Sequence, residues 1–269
     1  MRNILKQIID FKHCEVKERK ELYPVKLLEK SIYFETLPVS MKEYLLREDK
    51  SGIIAEIKRK SPSKGIINEF VNVEQTSIGY MQSGASAISV LTDTNYFGGK
   101  NEDLILARKY NFCPILRKDF IIDEYQIVEA KSIGADTILL IAAAISPELT
   151  IKLAKFAKSL GLETLLEVHS KEEFNSHYND FIDLVGVNNR NLSTFEVSIE
   201  HSKEIASIMP SNVLKISESG ISKAESIIDL KEHGFKGFLI GETFMKTGTP
   251  HLACAKLIKQ INQLEKLSV

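Results

Sequence analysis

The chain repeats one pattern: an amphipathic stretch of helical period, a glycine, then a short run of apolar residues. It is plain in "YMQSGASAISVLTD", "EAKSIGADTILLIAAA", "AKSLGLETLLEVHS" and "KEHGFKGFLIGETF". Gly84, Gly134, Gly161 and Gly234 stand where the helical stretches stop, at positions where a left-handed cap costs a glycine little. Each apolar run is too short for a helix and rich in Ala, Ile, Leu and Val, so it reads as a buried strand. Applied along the whole chain, the pattern predicts strands over 53–58, 87–91, 115–118, 137–141, 164–168, 184–188, 213–218 and 237–240. Helical segments fall between them. The one over 146–160 opens with Ser146 as N-cap and Pro147 in the first turn.

Apolar strands that alternate strictly with helices belong to a parallel sheet covered on both faces. About eight such units predict an α/β fold of the closed (β/α)8 TIM-barrel type. An open doubly wound sheet is the competing architecture, but no GxGxxG follows the first strand. Residues 1–50 precede that strand and read as helical. The expectation is therefore one barrel domain over 1–269, with an N-terminal helical extension packed over one end or along the side.

Composition agrees. The 269 residues are 43% hydrophobic and 26% charged, enough to bury a large core in one barrel. A formal net charge of −1 supplies no basic field for nucleic acid or an anionic membrane. The cluster Lys58-Arg59-Lys60 therefore asks for local partners. Cys14, Cys113 and Cys254 are odd in number and in no metal-ligand spacing, which reads as scattered reduced thiols. "MRNILKQIIDFKHCEVKERK" is broken by charge, and no later run reaches ~18 apolar residues. The expected setting is the cytoplasm, without a membrane partner.

In a barrel the chemistry belongs at the C-terminal strand ends. The first strand ends in Glu56 and Lys58 on one face, with Ala55 and Ile57 on the other. Lys118 ends the third, Glu167 the fifth, Asn188 the sixth with Arg190 beyond it, and Glu218 with Ser219 the seventh. Gly220 and Gly241 follow the seventh and eighth strands, and Glu242 opens a short helix. That placement suits a phosphate held by exposed backbone N–H groups. Each residue has an ordinary reading too. Lys118 could pair with Asp119 at the surface and Glu167 could cap the next turn, while His169 and His177 read as rim or surface groups. Met81 and Met245 read as packing. The convergence of lysines, glutamates and an asparagine on one mouth argues instead for a site whose charges balance each other or a charged ligand.

At these residues the chain resembles the indole-3-glycerol-phosphate synthase family. The likeness runs through "IIAEIKRKSPSKG", "ISVLTD…YFGG", "PILRKDFIID", "LLIAA", "LLEVH", "GVNNRNL", "SESGI" and "LIGETFM", in order. Lys100 stands where that family often has Ser, and "LEKLSV" closes the chain, as in a monofunctional form. The resemblance implies a small phosphorylated substrate, 1-(2-carboxyphenylamino)-1-deoxyribulose 5-phosphate, closed to an indole with loss of carbon dioxide and water. It implies Lys118 as general acid at ring closure, and Lys58 as carboxylate holder and candidate proton donor to the departing hydroxyl. Which lysine serves the dehydration stays open. Glu167 is the implied base for rearomatisation, Glu56 the group orienting Lys58, and Asn188 a sugar-hydroxyl contact. Arg190 and Glu218 support, Ser61, Gly220 and Gly241 cradle phosphate, and "RKSPSKG" forms a mobile loop. Phe97 and Phe120 are implied walls for the aromatic ring, with ordinary core as the alternative. No metal or cofactor is called for, and a monomer is expected. A class I aldolase using a Schiff-base lysine, phosphoribosylanthranilate isomerase, and a catalytically dead binding barrel are the rivals.

Overall fold

The computed structural model describes residues 4–190 and 196–267. Asn191 and Leu192 of the "GVNNRNL" motif lie outside the described residues. Eight parallel strands form a closed barrel. They are β1 (Ile53–Ile57), β2 (Ala87–Leu91), β3 (Ile115–Lys118), β4 (Thr137–Ile141), β5 (Glu163–Val168), β6 (Leu184–Asn188), β7 (Leu214–Glu218) and β8 (Phe235–Ile240). Each pairs with its successor, and Ala55 of β1 registers against both Ile88 of β2 and Ile240 of β8, closing the ring.

The period-two alternation sorts the apolar residues into two cores. Ile54, Ala87, Leu116, Leu139, Leu165, Leu184, Ile216 and Leu239 pack together inside the barrel. Their neighbours Ile53, Ala55, Ile88, Ile115, Ile138, Leu166 and Val185 face the surrounding helices. A barrel filled this way is a packed core rather than a pore, so only its upper layer is left for polar groups.

The extension covers both ends. Helix Met41–Leu46 sends Met41 and Leu45 into the inner core from below. Glu163, at the start of β5, fixes that helix by accepting from Met41 N at 2.8 Å and Lys42 N at 3.1 Å. Helix Ile4–Leu22 lies at the opposite end, where Ile8 lines the barrel mouth and Lys12 is buried against the loops after β2 and β3.

Several boundaries differ from the sequence pattern. Lys58 falls just past β1, while β8 begins at Phe235 because a bulge between Phe235 and Gly237 lets the strand continue past the glycine. The helix after β4 runs Pro147–Ser159, with Ser146 accepting from Leu149 N at 3.3 Å. His177, expected at the surface, is buried between two helices, with Nδ1 2.8 Å from Thr150 Oγ1. Met245 is fully buried, as its packing role required.

Candidate active site

The C-terminal strand ends open into a cavity of about 470 Å³, and every site side chain nominated from the sequence lines it. Period two aims Glu56, Lys118, Glu167, Asn188 and Glu218 inward from the ends of five strands. Lys118 is at the centre, its Nζ 2.6 Å from Glu218 Oε2 and 3.2 Å from Glu167 Oε2. The surface pair with Asp119 does not form; Asp119 faces Lys12 and Arg117 instead. Glu167 does not cap the next turn either. Asn188 Nδ2 donates to its Oε1 at 3.0 Å, and Ser170 caps the following helix. Lys58 Nζ lies 2.7 Å from Glu56 Oε1, and Ser89 donates to Glu56 Oε2 at 3.3 Å.

The basic run after β1 resolves into separate local partners. Lys58 takes Glu56, Arg59 takes Asp103, and Lys60 donates to the Asn95 carbonyl at 2.8 Å. The loop then forms a short antiparallel ribbon, Lys60–Ser61 with Gly65–Ile66, which brings Ser61 and Lys64 to the mouth. Phe97 and Phe120 face each other with ring centroids 5.9 Å apart and planes tilted by 40°, both lining the cavity. They are cavity walls rather than sealed core.

Electrostatics couples the central groups. Burial opposes the Lys118 charge, but Glu218, Glu167 and Glu56 outweigh it and hold its pKa well above the ordinary lysine value. Burial likewise works against the Glu167 carboxylate, yet Lys118, His169 and the Asn188 hydrogen bond bring its pKa down to about 2. Glu218 goes the other way: burial, reinforced by the Glu167 and Glu56 charges, pushes it up to about 7 despite Lys118. One ammonium cannot compensate all these carboxylates, so Glu218 carries the excess. Its Oε1 is buried without a hydrogen-bond partner among the described residues.

Two glycines make room for this chemistry. A Cβ on Gly241 would overlap Glu56 Oε1, and one on Gly186 would overlap Glu218 Oε1. Gly241 was nominated for phosphate; Gly186, inside β6, was not nominated. Ser219 adopts φ 70°, an uncommon conformation for a non-glycine residue, and Gly220 follows with φ 74°.

One further expectation is corrected. His169 is no rim group: its side chain is largely buried at the cavity, with Nε2 3.5 Å from Glu167 Oε1 and Nδ1 3.5 Å from Glu173. Period two puts it on the same face as Glu167, and although β5 ends at Val168 the side chain keeps that direction into the cavity. Glu242, at the start of the short helix after β8, lines the mouth, 3.5 Å from Lys64 and 3.7 Å from Arg190. Those cations draw it inward.

A family model described as indole-3-glycerol phosphate synthase matches residues 5–257. The chain is 47% identical over 261 residues to the indole-3-glycerol phosphate synthase of Bacteroides thetaiotaomicron, covering 97% of this chain and 100% of that one. It is 40% identical over 262 residues to that of Carboxydothermus hydrogenoformans, covering 94% and 99%. Among solved structures, a variant tryptophan synthase alpha-subunit from Pyrococcus furiosus superposes with a TM-score of 0.58 at 14% identity, over 80% of this chain and 99% of that one. That likeness shows the barrel alone. Sequence similarity over nearly the full length carries more, and by it this chain belongs to the indole-3-glycerol phosphate synthase family.

Proposed function

We propose that the residues at the barrel mouth carry out the family's reaction. 1-(2-Carboxyphenylamino)-1-deoxyribulose 5-phosphate is closed to indole-3-glycerol phosphate with release of carbon dioxide and water, a step of tryptophan biosynthesis. The observation that carries this reading is the Lys118 ammonium held by Glu167 and Glu218 at the centre of the cavity. As the ring carbon attacks the ketone, negative charge grows on the ketone oxygen, where a buried ammonium stabilises it and then transfers a proton. Glu167 is a weak base while Lys118 is charged. Loss of that charge raises its basicity at the stage where, carbon dioxide having left the attacking ring carbon, a proton must leave the carbon beside nitrogen as the hydroxyl departs and the new five-membered ring becomes aromatic. Lys58, oriented by Glu56, meets the substrate carboxylate, and Asn188 holds Glu167 while offering an amide to a sugar hydroxyl.

The phosphate end is proposed at Ser61, Ser219, Gly220 and Gly241, which line the mouth together with Lys64 and Arg190. In the free protein Glu242 lies near both cations, and a phosphate takes over that place. Phe97 and Phe120 together form a wall against which the aromatic ring packs. The proposed chemistry uses proton transfer and charge only, in one domain acting as a cytoplasmic monomer. Among the described residues no helix is long and apolar enough to cross a membrane.

The Schiff-base alternative needs a neutral lysine, and the carboxylates around Lys118 oppose that. The test is to mix purified protein with the substrate and follow indole fluorescence and released carbon dioxide. Stoichiometric appearance of both is expected. Their absence, or a lysine trapped by borohydride in the presence of substrate, overturns the reading.

A further inference from the structure

Lys12 is a buried cation in the wrong element for the chemistry described so far. It sits in helix Ile4–Leu22, outside the barrel, with a side chain only 1% exposed. Its Nζ lies 3.0 Å from Asp93 Oδ2, 3.0 Å from Asp119 Oδ1 and 2.8 Å from Glu15. Asp93 follows β2 and Asp119 follows β3, so one ammonium ties the extension to two loops of the barrel mouth.

What those two aspartates hold gives the contact its meaning. Asp93 Oδ1 accepts from Tyr96 N at 2.7 Å and from Phe97 N at 3.1 Å, capping the short helix Thr94–Phe97. Asp119 Oδ1 accepts from Phe120 N at 2.8 Å. Phe97 and Phe120 are the two rings that pack against each other in the cavity wall. Each is hung by its backbone from a carboxylate that pairs with Lys12. The same helix also touches the β2 loop directly: Tyr96 Oη donates to the Gln7 carbonyl at 3.3 Å, and Phe11 meets Tyr96 edge-on at 6.2 Å. Asp119 has further support from Thr92 at 2.6 Å and Arg117 at 3.3 Å. Asp93 Oδ2 has no hydrogen-bond partner among the described residues, and the Lys12 ammonium is the charge that faces it.

We propose that Lys12 is a positioning residue that sets the placement of the Phe97–Phe120 ring pair, so that the N-terminal helix determines how tightly the aromatic end of the substrate is held. An aromatic wall loses contact steeply when its rings shift by a fraction of an ångström, and two loops on different strands need a common anchor to stay in register. A charge shared by two buried carboxylates is such an anchor, because leaving either one unpaired is costly. The inference rests on the reading of Phe97 and Phe120 as walls for the aromatic ring, and the test separates the two.

The experiment compares the full chain with Lys12→Met, Phe97→Leu and the double variant, measuring KM for the substrate and inhibition by inorganic phosphate. Where Lys12→Met fails to fold, Lys12→Gln replaces it, keeping an amide donor for the aspartates without the charge. The expected result is a KM raised about tenfold or more by the Lys12 change, the size of a displaced ring contact. Inhibition by phosphate, which does not use the rings, stays within about twofold, inside the usual spread for uncoupled sites. In the Phe97→Leu background the Lys12 change adds little, because its effect passes through the ring. A KM unchanged by the Lys12 change, a parallel loss of phosphate affinity, or full additivity with Phe97→Leu overturns the proposal. If Phe97→Leu alone leaves KM unaltered, the wall reading itself fails and the inference falls with it.

Discussion

Replacing Lys118 by Met removes the charge at the centre of the site while nearly keeping the side-chain volume. The structure predicts two separate losses. In turnover, a missing proton donor costs about 10²–10⁴-fold in kcat. In stability, Glu167 and Glu218 lose the ammonium that lay 3.2 Å and 2.6 Å away and are left as buried, mutually repelling carboxylates. Breaking a buried ion pair from one side costs about 3–5 kcal/mol. The second loss has a pH signature whose sign can be worked out. With Lys118 present, Glu167 is held at about 2, below its unfolded value, so it contributes stability above the unfolded pKa and loses it on acidification. Without Lys118, burial pushes Glu167 above its unfolded value, so the variant native state binds a proton the unfolded chain has released. Stability then falls by up to about 1.4 kcal/mol per pH unit across that window. Urea unfolding of parent and variant at about pH 5.5 and about pH 8 should show the gap between them widening at the higher pH. A variant retaining more than about a tenth of the parent kcat would remove Lys118 from the proton-donor role. An equal stability gap at both pH values would refute the electrostatic argument.

Glu218, pushed up to about 7, should give kcat/KM an alkaline limb near neutrality, because ionising it adds negative charge where an anionic substrate must bind. Glu218→Gln should abolish that limb in the pH profile. Gly241→Val should weaken inhibition by inorganic phosphate and raise KM. Because its Cβ would overlap Glu56 Oε1, it should also lower kcat by about tenfold through a displaced Lys58, and an unchanged kcat contradicts this. Gly186→Ala should lower kcat with little effect on phosphate inhibition, since its methyl displaces Glu218 from Lys118. Truncation separates the two parts of the extension. A chain beginning near residue 30 keeps Met41 and Leu45 and should fold with a raised KM. Deleting all of 1–50 empties the bottom of the barrel, each of those buried residues being worth about 2–5 kcal/mol, which calorimetry would show.

The strands and the inward polar residues were legible because a period of two is local. Once 53–58 is a strand, Glu56 and Lys58 must share a face. The partners were less legible, since they are set by which strands become neighbours in space. Nothing local in "SESG" says that Glu218 will be the carboxylate with excess charge, for that depends on Glu167, Glu56 and Lys118 arriving from other strands. Gly186 was missed for the same reason: its glycine is demanded by a side chain from the next strand. Lys12 did leave a trace. Ile8, Lys12 and Val16 are the buried residues of their helix, spaced by four, so a lysine occupies the middle of an apolar stripe. A cation there signals a buried anion, although not which one. His177 was misplaced because its burial is decided by tertiary packing, whereas His169 was legible in principle, since period two puts it on the face of Glu167.

The most direct measurement is a structure of the protein with indole-3-glycerol phosphate bound. The account predicts the indole against Phe97 and Phe120, the phosphate against the backbone of Gly220 and Gly241 with Glu242 displaced from Lys64 and Arg190, and Lys118 and Glu167 within hydrogen-bond reach of the ring closed between them. A product seated away from the β3 and β5 strand ends, or with its phosphate outside the β7 and β8 loops, would contradict it.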